Sequence, residues 1–114
     1  MSIPQTPKQQ INEICRIIQK DANARQKIIT VDGKMCAIGG LAHYGAKVSK
    51  AQLQRMDRES NYGNQPSDQA WREVVTRFPV LQGTYASQVW RINDAHHKLV
   101  TRRKALITFF RALI

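Results

Sequence analysis

The chain has 114 residues, 42% of them hydrophobic, with eighteen Lys and Arg against eight Asp and Glu, a formal charge of +10 and a pI near 10.2. That length fits a single domain over residues 1–114 with a core that needs neither metal nor disulfides, and the apolar content excludes disorder along the whole chain. No stretch approaches the roughly 20 apolar residues of a membrane helix.

Thr6-Pro7-Lys8-Gln9 reads as a helix start: the threonine caps, the proline occupies the first helical position, and Gln9 closes a capping box. Ile11, Ile14, Cys15 and Ile18 follow at i, i+3, i+4 and i+7, one face of a helix that should end near Asp21 to Asn23. Lys27 to Val31 is a short β-prone run. Asp32-Gly33 after it favours a two-residue turn, and the expectation is a minimal hairpin over about 27–38 that pairs 28–31 with 34–37. Cys36 to Tyr44 predicts a buried helix in which Gly39-Gly40 permits close backbone approach and Gly45 is the stop.

Ser49-Lys50-Ala51-Gln52 repeats the capping-box pattern before a polar helix carrying Leu53 and Met56. Asn61 to Pro66 predicts a loop, with Tyr62 an exposed aromatic. Ser67 should cap a helix that buries Trp71, Val74, Val75 and Phe78 and closes at Pro79. Thr84 opens a short helix with Tyr85, Val89 and Ile92 on one face. The last helix, capped by Thr101, carries Leu106, Phe109, Phe110 and Leu113. The predicted fold is therefore mainly α, a compact domain of five to six short helices with that one short hairpin.

The N-terminus lacks the basic-then-apolar signature of a secretory signal, and Cys15 and Cys36 are the only cysteines. A cytoplasmic, reducing location is the expectation. Cys36, at a helix start, invites a thiolate with His43, His96 or His97 as base and Asp94 to orient it. The Gly-Gly that follows favours a packed thiol instead. Zinc on Cys15, Cys36, His43 and a histidine of the 96–97 pair lacks the usual ligand spacings. Asn93-Asp94 reads as backbone capping more than ligand binding. No cofactor or metal is expected.

Charge is the distinctive signal. Residues 91–114 hold six cations against Asp94 alone, so half of the net charge sits there. Arg102, Arg103 and Lys104 fall near a helix N-terminus, where the macrodipole disfavours cations. The sequence thus nominates Arg91, Lys98, Arg102, Arg103 and Lys104 as a nucleic-acid-binding surface, since phosphate contacts require only positioned cations. An acidic host protein is the alternative partner, and a cysteine-dependent enzyme a third reading.

Three features also resemble a small family of bacterial and bacteriophage proteins defined as a domain of unknown function. They are the opening amphipathic helix, the segment Met35-Cys36-Ala37-Ile38-Gly39-Gly40-Leu41-Ala42, similar to Trp-Cys-x-x-Gly-Ala-Leu, and Trp90-Arg91-Ile92-Asn93-Asp94, similar to Trp-Asn-Asp. Here Met35 stands where the family has an aromatic, and the tryptophan lies three residues before Asn93. The resemblance implies a phage or bacterial origin and a compact, mainly helical domain, and it brings no activity with it. The functional expectation is a non-enzymatic phage-type accessory protein.

Overall fold

Helix α1 (Pro7–Lys20) starts where its capping chemistry places it. The Gln9 N–H donates to the Thr6 hydroxyl at 3.2 Å, and the Gln9 side chain accepts the Thr6 N–H at 2.9 Å. The computed structural model describes residues 4–59 and 65–114. Of the loop expected at Asn61–Pro66, residues 61–64, with Tyr62, lie outside them. Five further helices follow: α2 (Ala37–Gly40), which continues as a π-helical turn (Leu41–Gly45), α3 (Lys50–Arg58), α4 (Pro66–Arg77), α5 (Ala86–Ala95) and α6 (Leu99–Arg111). The fold is mainly α, with no strand among the described residues. None of these helices is long and apolar enough to cross a membrane.

The expected hairpin contracts to one bridge, Ile29 to Met35, because its register differs. Thr30 N–H donates to Lys34 O at 2.7 Å, so three residues form the loop, and Gly33 takes the left-handed conformation at φ 85°. A three-residue loop with glycine at its left-handed position is the next commonest hairpin solution after the two-residue turn. The ladder stops once the Cys36 N–H has donated to Ile28 O at 3.3 Å, since the Cys36 side chain caps α2 and the chain turns into that helix.

That central segment organises the core. Ala37, Ile38, Leu41 and Ala42 are fully buried, and α1, α4 and α5 pack around them. Small residues make this crowding possible. A Cβ on Gly39 would lie 2.0 Å from Ile28 O, and one on Gly45 2.6 Å from the Phe78 ring. Gly39→Ala must push backbone from backbone. It is expected to cost about 1–3 kcal/mol, the usual scale of overpacking, seen as a lower urea midpoint at constant slope.

Three helix starts differ from expectation. Helix α4 begins at Pro66, with Gln65 rather than Ser67 at the cap, because proline suits the first helical position. Tyr85 is exposed and caps α5, donating its N–H to Gln88 Oε1 at 2.7 Å. Helix α6 begins at Leu99, so Thr101 lies within its first turn and Lys98 occupies the cap. Cys15, Trp71, Val74, Phe78, Leu106 and Phe110 are buried as the periodicity requires.

Candidate functional site

The segments that follow the C-terminal ends of α1 and α5 converge, and three guanidinium groups bond backbone carbonyls at and just beyond those two ends. Arg102 donates from Nε to His96 O at 2.9 Å, from Nη2 to His97 O at 3.0 Å and from Nη1 to Ala22 O at 2.5 Å. Arg103 donates to Asp21 O at 2.9 Å and to Asn23 Oδ1 at 3.1 Å. Arg25 donates to Asp94 O at 3.0 Å and to His97 Nδ1 at 2.8 Å.

Arg102 is only 4% exposed, which corrects its assignment to an open cationic surface. Its planar fork of donors is matched to carbonyls, and two helix ends supply negative potential to hold the charge. Burial, then the nearby Arg25 guanidinium, draws its pKa below the ordinary arginine value. Arg103 is half-buried, whereas Arg91, Lys98 and Lys104 are exposed, with Arg91 lying 5.7 Å from the Trp90 ring centroid.

The exposed positive charge gathers elsewhere. Helix α6 runs antiparallel to α1, as Arg103 meets the α1 end at Asp21 while Arg111 borders a groove shared with Arg16. Arg16 and Lys20 on α1 and Lys104 and Arg111 on α6 are all exposed. Helix α6 contains no acid. The one acid of α1, Glu13, is held by Arg77 at 2.7 Å. Between the helices runs a groove of about 600 Å³ lined by the amides of Gln5, Gln9, Asn12 and Gln19 with Arg16 and Arg111. Sequence reasoning missed Arg16 and Lys20 because it weighed charge by segment, and they adjoin α6 only in space.

A second cluster joins the two segments singled out in the sequence. Asn93 is fully buried; its Oδ1 accepts the Ala37 N–H at 3.0 Å and its Nδ2 donates to Ala24 O at 2.9 Å. Asp94 Oδ1 accepts the Gln26 N–H at 2.8 Å. The pair thus satisfies backbone donors, but across the fold and from inside α5. Ala22 and Gln26 are left-handed at φ 66° and 67°, a costly conformation for a residue with a Cβ, and contacts from α5 and α6 hold both. Asp21, buried against Gly40, has its carboxyl pushed up by burial, against the pull of the Ala22 and Asn23 N–H groups.

Compared with protein-family profiles, curated proteins and solved structures, the chain has no significant match.

Cys36 caps α2, with Gly39 N–H 3.5 Å from Sγ. Burial pushes its thiol up to about 11, with Asp94 and Asp21 adding to the rise and the N–H groups of α2 opposing it. It is therefore a protonated thiol at neutral pH. Iodoacetamide at pH 8 is expected to modify native Cys36 about 100-fold or more slowly than the urea-unfolded chain, by mass spectrometry of the labelled peptide. Among the described residues no three His, Cys, Asp or Glu side chains are gathered as a metal-binding group.

Proposed function

We propose that this chain is a non-enzymatic accessory protein that binds nucleic acid through the face shared by α1 and α6. The observation that carries the reading is the exposed set Arg16, Lys20, Lys104 and Arg111 on two adjacent helices whose one acid is already paired. Phosphate attracts such a set without any sequence readout, and neighbouring amides supply hydrogen bonds to sugar, phosphate or base edges. Of the residues nominated from the sequence, Lys104 belongs to this face and Arg103 borders it. Arg102 supports it from below.

The test is fluorescence anisotropy with a 20-base-pair DNA duplex and with the RNA of the same sequence, between 50 and 300 mM salt. Four phosphate contacts predict a slope of about −3 to −4 in log affinity against log salt. Lys104→Glu with Arg111→Glu should reduce the slope by about 2 and lower affinity at least tenfold, with the melting temperature unchanged. No binding at 50 mM salt, or an affinity indifferent to the double variant, overturns the proposal. A host protein retained by the chain after nuclease treatment, and lost in the double variant, would assign the same face to an acidic protein surface.

A further inference from the structure

From an open cleft that belongs neither to α1 nor to α6, we infer that the protein has a second binding site, for a basic peptide segment of a partner protein. The cleft measures about 730 Å³ and lies between the 26–28 loop, the first turn of α4 and α5. Pockets of this size hold a ligand through apolar walls and a few placed polar groups. Its apolar part is Ile28, Ile38, Pro66 and the side chains of Tyr85 and Trp90. Those two aromatics are 70% and 39% exposed. Large rings left in water beside a concavity are the anchors by which surfaces recognise partners.

Charge selects the occupant. The whole chain has eight acids, and three of them, Asp57, Asp68 and Asp94, line this one cleft, where Lys27 is the one Lys or Arg among the described lining residues. Lys27 lies 3.5 Å from Asp57, and Asp94 Oδ1 accepts the Gln26 N–H at 2.8 Å, so each of these two carboxylates keeps a partner beside the cleft. Asp68 stands in the first turn of α4, where the helix dipole favours negative charge. An otherwise strongly cationic protein thus presents a locally negative, aromatic-walled concavity. An arginine or lysine side chain meets both attractions there, the carboxylates and the π face of Trp90, already approached by Arg91 from its own helix. The segments 35–42 and 90–94 meet at this cleft, contributing Cys36, Ile38, Trp90 and Asp94. A peptide fits better than a free amine because the aromatics and carboxylates are spread along an open trough, which rewards several side chains in register.

The experiment uses the full chain labelled with nitrogen-15 at 150 mM salt, where repulsion between a basic probe and the rest of the surface is screened beyond about 8 Å. The probe is an acetylated, amidated nonapeptide of alternating Arg and Gly. The controls are the same peptide with Glu for Arg, and arginine amide alone. The Arg peptide should shift the Trp90 indole N–H, assigned with Trp90→Phe, and amides of 26–28, 66–68 and 85–94, whereas the Glu peptide should leave these cleft signals unshifted. Trp90→Ala and Asp68→Asn should each weaken binding at least fivefold, and both side chains are exposed enough for the fold to survive their loss.

Absence of shifts, shifts at other faces, or unchanged affinity in both variants overturns the inference. Arginine amide binding as tightly as the peptide would make this a small-molecule amine site, and concentration-dependent dimers abolished by Asp68→Asn would make the occupant a second copy; either also overturns it. The measurement contains no nucleic acid and the variants leave α1 and α6 untouched, so its outcome is independent of the proposed function.

Discussion

Asn93→Leu is expected to destabilise the domain by about 2–5 kcal/mol, enough to lower the melting temperature by about 10 °C or more. The side chain is fully buried and is shared between two segments of the chain. Its oxygen takes the Ala37 N–H, the first of α2, and its nitrogen serves Ala24 O in the strained loop after α1. Leucine fills nearly the same volume but satisfies neither group, and a buried donor or acceptor left alone costs roughly 1–3 kcal/mol. Asparagine to aspartate is not a rescue, since it keeps the acceptor but places a second carboxylate beside Asp94 and turns an oxygen toward Ala24 O. Chemical denaturation followed by circular dichroism measures this directly. A loss below about 1 kcal/mol for both variants would show that water replaces the Asn93 contacts and that the loop does not depend on them.

The helices were legible because each rests on local chemistry. Thr6 and Ser49 form capping boxes with Gln9 and Gln52, and the apolar stripe of α1 repeats at helical spacing, so sequence and structure agree on where those helices start. Legibility fails where the partner is distant in the chain. The hairpin register depended on whether Gly33 or the Asp32-Gly33 pair carried the positive φ, a choice that side-chain preference alone does not make. Thr101 is a good cap by type, yet α6 starts a turn earlier. Its first turn lies against the α5 end, where Arg102 must reach His96 O and His97 O. The cationic site was half legible for the same reason. Counting charges along residues 91–114 finds Lys104 and Arg111, but it cannot separate them from Arg102, whose carbonyl partners include Ala22, eighty residues earlier. The sign that distinguishes them is local. Arg102 shares the buried face of α6 with Leu106 and Phe110, four and eight residues on, and an arginine in register with an apolar stripe belongs to the packed side.

Arg102→Met is expected to cost about 3 kcal/mol while leaving the exposed charge of α1 and α6 in place. Methionine retains much of the aliphatic volume, so the loss isolates the guanidinium. Three carbonyls, of Ala22, His96 and His97, lose a charged donor together, at two helix C-termini whose dipoles favoured a cation. Lysine at this position should recover less than half of the loss. A single ammonium on a flexible stem cannot reproduce donors that diverge in a plane toward three acceptors. Lys104→Glu, two residues on and on the solvent side of α6, should change stability by no more than about 0.5 kcal/mol. Measuring urea midpoints and nucleic-acid affinity on the same three proteins separates the roles that the Arg102-Arg103-Lys104 run hides. Arg102→Met should shift the midpoint and, at temperatures where the variant remains folded, leave affinity within about twofold. Lys104→Glu should do the reverse. An Arg102→Met protein with an unchanged midpoint and lost affinity would mean that the guanidinium leaves its carbonyls to meet the ligand, and the assignment of this arginine to the fold would be wrong.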